Sequence, residues 1–486
     1  MALSRLLTPL IAVGVYGLVS STPTTLLAAP LEDNTLGANV FSGVTTPHPT
    51  SLGLNPAALG LGGSGFHLFA QTGARLSTIS WDRKNIDPLT GQANPGPSAT
   101  DTVISPGGFI AMYGSVSDIG HVGISLSTPI WQRFANRNEF AYHTAGGSFL
   151  QSRLTLAGSF QIGSQVHVGI GVTLAYTRLR LQLARDTALD AGSNSNRGIN
   201  SDCAGQPCGF ENPHARQDLD LKVGTQGISG FFDVPGNIGL VLGVLYQRRP
   251  NSWNIAFSVV APPGAFTALP LRGSTTVTTA PRDGGQTIVG DAEIDIRVAE
   301  SMHLGGRIPI SENFDVHASL RWQNTSRYKQ YDLRMFGAEI ETAEVPEWLP
   351  RFRGFRDTYS LTTGVESRLG RALRYGARIR IERGAVKRAR LTPIQVEGWN
   401  GTIATGIEWR AGQAIALSAS YDLTWFPART SNSSAFNPLD RLACVDSGYE
   451  ADSCTPARQG RATPTAAGTY GRLDHGLVLS LRYDSL

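Results

Sequence analysis

The chain has 486 residues, a formal net charge of +4 and 41% hydrophobic residues. The small excess of positive charge is carried almost wholly by arginine, the only lysines being Lys84, Lys222, Lys329 and Lys387. With no basic block, this argues against a nucleic-acid partner. A mean hydropathy of −0.10 and no long apolar run after residue 30 exclude a helical membrane protein. They do not exclude a transmembrane barrel, whose lipid face occupies only every second residue.

Residues 1–29 read as a secretory signal: Arg5 supplies the positive start, Leu6–Val19 the apolar core and Leu27-Ala28-Ala29 the small-residue cleavage region. A transmembrane anchor is the alternative, but the apolar core falls short of the roughly 20 residues a bilayer needs. Residues 30–64, which include "LEDNTLGANVFSGVTTPHPTSLGLNPAALG", carry apolar residues without a strand period. They are expected to form a hatch inside a barrel formed by residues 65–486, with Asn55, Pro56 and Ala57 as its turn. Pro56 sets the backbone there and Asn55 supplies side-chain hydrogen bonds. A periplasmic tail is the alternative.

From residue 65 onward, alternation with a period of two dominates. In "QAIALSASYDLTWF" (413–426), Ile415, Leu417, Tyr421, Leu423 and Trp425 share one face, and Ser418, Ser420, Asp422 and Thr424 the other. Residues 150–162, 165–176, 314–323, 372–384 and 398–410 alternate in the same way. The polar faces carry Gly, Ala, Ser and Arg, while the apolar faces end in Trp and Tyr, as in membrane barrels with aromatic girdles. Short turns at 118–119, 163–164, 249–252, 310–313, 369–371 and 411–412 alternate with longer connections at 82–106, 132–148, 184–235, 265–290, 328–356, 385–397 and 427–470. This rhythm predicts an all-β, fourteen-stranded antiparallel transmembrane barrel with both ends on the periplasmic side. The longer connections include two close cysteine pairs, Cys203 with Cys208 and Cys444 with Cys454, each expected to form a local disulfide in an exported protein.

"GANVFSGVTTPHPTSLGLNPAAL" (37–59), "ISPGGFIAMYGSVSDIGHVGISLSTPI" (104–130) and "FLQSRLTLAGSFQIGSQVHVGIGVTLAYTRLRLQLARD" (149–186) together resemble the FadL/TodX-type outer-membrane transporters of long-chain fatty acids and other hydrophobic compounds. The resemblance covers nearly the whole mature chain, and Asn55-Pro56-Ala57 matches the family's hatch motif. It implies a barrel occluded by the hatch, passive capture of a hydrophobic ligand, and a kinked third strand that opens the wall sideways. Gly120 and Gly123 would permit that kink, although close backbone packing explains them equally well.

In the fifth strand the apolar parity changes beyond Thr177. Without a bulge, Leu179, Leu181 and Leu183 point into the lumen and would line a ligand pocket. With a bulge at Thr177-Arg178, they would face outward or belong to an extracellular extension. Lumenal arginines at 153, 321, 374, 378, 380, 410 and 472 would meet a carboxylate ligand or pair with Glu366, Glu382, Glu408 or Asp422. There is no G-x-S-x-G, since Gly62-Gly63-Ser64-Gly65-Phe66 fails at its last position, and there is no H-E-x-x-H. The chain is therefore expected to be no enzyme and to need no cofactor or metal. Its expected partners are a fatty-acid-like ligand, outer-membrane lipid, lipopolysaccharide and the barrel assembly machinery, with the barrel a monomer. A diffusion porin and a structural or adhesive barrel are the rival readings.

Overall fold

The structure is a computed structural model that describes residues 39–86, 93–117, 120–133, 141–143, 146–187, 213–225, 235–327, 330–343, 345–352, 354–393, 395–432 and 466–485. The expected signal and the first residues of the hatch lie outside the described residues. So do both expected disulfides, since Cys203 and Cys208, like Cys444 and Cys454, fall in stretches that are not described. Their pairing rests on the sequence alone.

Alternating apolar and small polar residues make long strands because each face of the pleat then meets one kind of surroundings. In chain order these are β1 (Phe66–Ile86), β2 (Ala93–Ser117), β3 (Gly120–Arg133), β4 (Gly146–Ile162), β5 (Val166–Asp186), β6 (Arg216–Gly224) and β7 (Ile238–Gln247). They continue as β8 (Asn254–Ala261), β9 (Leu269–Thr278), β10 (Thr287–Ile296), β11 (Ser301–Ser311), β12 (Phe314–Gln323) and β13 (Gln330–Phe336). The last are β14 (Trp348–Phe352), β15 (Thr358–Leu369), β16 (Leu373–Arg383), β17 (Trp399–Ala411), β18 (Ile415–Ser431) and β19 (Gly468–Asp484).

Fourteen of these strands close an antiparallel ring, in the order β1-β2-β3-β4-β5-β7-β8-β11-β12-β15-β16-β17-β18-β19 and back to β1. Closure gives each strand of the ring a neighbour on both sides, as a strand protein in hydrocarbon requires. The wall is inside-out relative to a soluble protein. Leu320, Ile379, Ile403 and Leu477 are all more than half exposed on the outer face, while Glu366, Glu382, Glu408 and Asp422 are buried within. Trp253, Tyr359, Trp399, Trp409 and Trp425 are among the exposed aromatics. Such a surface suits a bilayer and not water. Among the described residues no helix is long and apolar enough to cross a membrane, which says nothing of strands.

The other five strands lie in stretches that the sequence pattern assigns largely to loops. β5 pairs with β7 from Val166 to Leu174, then with β6 from Arg178 to Asp186. The branch continues β6-β9-β10-β13-β14 as an extension at the long-loop end. The β4–β5 ladder runs through Thr177 without a bulge, so the parity of the leucines is as expected, but their surroundings are not a lumenal pocket. Leu179, Leu181 and Leu183 are buried with Phe149, Leu219, Leu221, Leu271, Ile294 and Leu333 in the dry core of the extension. Extra strands supply those neighbours, and they are distant in sequence.

The third strand also differs from expectation. β3 pairs with β4 without a break from Gly120 to Ser127, and the register shifts between Ser127 and Ile130. The irregularity falls at Thr128-Pro129, where proline has no N–H to give to a ladder. Gly123 lies in regularly paired backbone on both sides, while Gly120 pairs regularly with β4 but sits beside a register shift in β2, between Ser115 and Ser117. Gly123 has a packing role: a Cβ there would lie 2.8 Å from Leu52 Cδ2.

Candidate functional site

Residues 39–62 lie inside the ring. They carry only a short helix, α1 (Ser51–Leu54), and a 3-10 turn at Pro56–Leu61, and most are buried and none exposed. Six glycines on different strands let this segment approach the wall. A Cβ on Gly169 would fall 2.2 Å from Ala57 N, on Gly243 1.8 Å from Asn55 Oδ1 and on Gly305 2.4 Å from Val44 Cγ2. On Gly376 it would fall 2.5 Å from Val40 Cγ1 and on Gly406 3.2 Å from Val40 Cβ; Gly123 completes the set. The glycines that look like general backbone packing in the sequence thus mark where the segment touches the barrel.

The expected hatch turn is buried in this seat. Asn55 is fully buried and its Nδ2 donates to Val44 O at 2.6 Å, tying together two parts of the segment eleven residues apart. Pro56 opens the 3-10 turn, and Ala57 and Ala58 pack on Leu245 and Ala256 of the wall. Asn39 Nδ2 donates to Gln71 Oε1 at 2.7 Å, and Arg378 donates to Ser42 O.

Depth along each strand separates three layers. On β16, Arg374 belongs to a charged layer near the short turns, Gly376 touches the segment, and Arg378 and Arg380 line a cavity above it. On β17 the same order is Glu408, Gly406, then Ala404 and Thr402. The charged layer runs across the wall. Arg307 meets Asp315 at 2.6 Å and Glu366 at 2.9 Å, Arg374 bonds Glu366, and Arg482 lies 3.6 Å from Glu408 and 3.1 Å from Asp484. The guanidinium of Arg374 also stacks on Phe41 at 4.7 Å, coupling this layer to the segment. Arg307 and Arg482 complete a network that the alternation pattern alone did not identify. Inward parity together with acidic neighbours one strand away was the available signal.

The cavity has a volume of about 230 Å³. Its floor is Val40, Val44 and Leu54 of the segment; its walls combine Phe109, Val241 and Val260 with serines, threonines, His303, Arg153, Arg321, Arg378 and Arg380. Arg321 bonds Glu382 at 2.8 Å. Leu179, Leu181 and Leu183 are not part of this lining. On one side the cavity reaches Ser125, Ser127 and Pro129 of β3. There the described β2–β3 ladder ends at Gly108–Thr128: β2 continues bonded to β1, and β3 resumes at Ile130 bonded to β4. The wall therefore carries a seam beside the cavity. At the long-loop end, Val386, Leu391 and Val396 of the connection before β17 pack on Ile79, Trp81 and Tyr470.

No family model and no curated protein matches the sequence. Solved structures do match. The chain is similar to a FadL homologue from Pseudomonas aeruginosa, at 14% identity and a TM-score of 0.70, over 95% of this chain and 100% of that one. It is similar to the toluene transporter TbuX from Ralstonia pickettii, at 14% identity and a TM-score of 0.58, over 92% and 97%. It is also similar to the toluene transporter TodX from Pseudomonas putida, at 11% identity and a TM-score of 0.59, over 96% and 99%. At these identities the likeness is one of fold: the chain has the FadL/TodX-type barrel fold.

Proposed function

We propose that the protein is a passive outer-membrane channel of a Gram-negative bacterium that admits hydrophobic small molecules. In this reading residues 39–62 act as its hatch, and the seam between β2 and β3 is its lateral exit. The observation that carries the reading is the cavity above the segment, which reaches the seam at Ser127 and Pro129. A volume of about 230 Å³ exceeds the roughly 150 Å³ in which an engineered cavity holds benzene. The resting cavity therefore suits compact hydrophobic molecules, and an extended acyl chain would need the seam as well. The toluene transporters of like fold support the same class of ligand. The arrangement calls for no energy source, since burying each CH₂ contributes about 0.8 kcal/mol toward capture.

Uptake of toluene and of oleate by cells lacking other hydrophobic channels tests the reading. The barrel is expected to raise toluene uptake and to stay nearly closed to ions in planar bilayers. A large, steady ionic conductance would instead make it a diffusion porin. Pro129→Val supplies the missing N–H, should lengthen the β2–β3 ladder, and is expected to slow uptake several-fold while leaving the barrel folded. Unchanged uptake would move the exit elsewhere.

A further inference from the structure

Where β5 leaves the barrel wall and begins to pair with β6, the outer surface carries a groove that the transport reading does not use. Ten residues separate Val166 from Tyr176 on β5. At about 3.3 Å per residue and a tilt of about 40°, they rise about 25 Å, the height of the apolar band of an outer-membrane barrel. Val168, Ile170, Val172 and Leu174 form that band, and Tyr176 sits at its upper edge. The next outward positions are Arg178 and Arg180, which places their side chains at headgroup level.

Strand register gathers two more cations beside them. Arg180 pairs across the ladder with Lys222, and Arg178 with Gly224, which in turn faces Arg272 on β9. Gly224 carries no side chain, and the Arg178 stem lies close beside it: a Cβ there would fall 2.9 Å from Thr177 O and 3.4 Å from Arg178 Cγ. The result is a shallow groove of about 490 Å³ lined by Arg178, Arg180, Lys222, Arg272, Gly224 and Tyr176. It does not collapse, because Thr225 N donates to Thr177 O at 2.9 Å and Thr177 N donates to Thr225 Oγ1 at 3.0 Å. Among the described residues, Asp220 lies 2.6 Å from Arg180 and 4.0 Å from Lys222, and Glu293 3.0 Å from Arg272. Arg178 has no carboxylate partner among the described residues. It lies over the Tyr176 ring at 5.3 Å and donates to the phenol oxygen, which holds its guanidinium at the groove's lower edge.

We propose that this groove binds the phosphorylated sugar headgroup of an outer-leaflet glycolipid of the lipid A type. One phosphate would sit over Gly224 between Arg178 and Arg272, and the acyl chains would lie down the Val168–Leu174 face. A guanidinium fork matches phosphate geometry, and a cationic groove directly above lipid-facing residues meets a molecule that is phosphate at its head and hydrocarbon below. The proposal rests on the outer-membrane placement given above, though not on what the lumen carries.

Native mass spectrometry of the purified barrel in mixed micelles tests it, with diphosphoryl lipid A, monophosphoryl lipid A and inorganic phosphate as separate probes. Diphosphoryl lipid A is expected to bind best and inorganic phosphate not detectably. Each cation near a headgroup surface is worth about five-fold in affinity, so Arg178→Ala/Lys222→Ala should bind about 25-fold more weakly. Lys84→Ala on β1, which removes one charge elsewhere at the same end, should bind as the parent does, and heat-modifiable gel migration confirms that each variant is folded. Equal binding of both lipid A forms and phosphate, or equal losses in Lys84→Ala, would overturn the site. If lipid A binds as expected while toluene uptake is absent, the transport reading falls and the groove stands.

Discussion

Substituting Gly243 by alanine places a methyl group where the Asn55 side chain now sits. The added Cβ would lie 1.8 Å from Asn55 Oδ1 and 2.9 Å from its Cγ, against an ordinary contact of about 3.5–4.0 Å. The carboxamide has to withdraw by more than an ångström, and it cannot do so while its Nδ2 holds Val44 O at 2.6 Å. Overpacking of this kind costs about 1–3 kcal/mol, and leaving a buried carbonyl without its donor costs about 1–3 kcal/mol more. If the strain is relieved by the segment of residues 39–62 leaving its seat, the unseated population rises by roughly thirty-fold to twenty-thousand-fold, at 1.4 kcal/mol per decade. Planar-bilayer recordings should show frequent open events in Gly243→Ala and nearly none in the parent. Asn55→Ala alone should give an intermediate open frequency, because it loses the bond to Val44 without any collision. The double variant should resemble Asn55→Ala, since removing the carboxamide makes room for the new methyl. A Gly243→Ala channel as quiet as the parent, or a double variant whose effects simply add, would refute this account of the seat.

Glu366→Gln leaves Arg307 and Arg374 without the buried carboxylate they share; a loss of about 3–5 kcal/mol is expected, read by urea unfolding in lipid vesicles. Leu181→Asp buries an unpartnered carboxylate in the core of the extension; protease should then cut the extension readily while the fourteen-strand ring keeps its resistance to heat and detergent. Glu397, in the inward-folded connection before β17, is 2% exposed, and only its Oε2 has a hydrogen-bond donor, Ala385 N at 3.0 Å. Burial, then the nearby Glu382, push its pKa up to about 8, against the opposing Arg472 and Arg429. Between its ordinary value near 4.5 and about 8, the folded protein keeps a proton that the unfolded chain has released. The stability it contributes is therefore full below that window and declines by about 1.4 kcal/mol per pH unit as pH rises through it. Glu397→Gln should flatten the decline between pH 5 and 8; an unchanged slope would show that the titration lies elsewhere.

Much of the fold was legible because a barrel in lipid imposes the same demand on every strand. Ile403 and Trp409 could be assigned outward and Glu408 inward from parity alone, since a pleat has two faces and the bilayer tolerates a buried carboxylate on only one of them. Asn55-Pro56-Ala57 is expected inside the barrel from its apolar, aperiodic surroundings, and Asn55 and Ala57 are fully buried. Parity set Leu179, Leu181 and Leu183 apart from Arg178 and Arg180, but the lumenal pocket expected of them is instead the core of the extension. What parity could not supply was their company, because Leu219, Leu271, Ile294 and Leu333 come from strands in stretches whose short, polar-flanked character reads as loop. Glycine marks Gly120 and Gly123 as places where β3 could bend, whereas the β3–β4 register shifts at Thr128-Pro129, where a donor is missing from the ladder.

The sequence by itself determined the inside-out wall, the number of strands that cross it and the end at which the long connections lie. Each follows from a local rule, the period of two or the length of a turn, which needs no partner to be read. The tertiary structure alone decided that β5 forks at Thr177, that glycines on six strands converge on one buried segment, and that Arg178, Lys222 and Arg272 share a groove. Those depend on register between strands distant in the chain, where a shift of one residue turns each side chain to the opposite face.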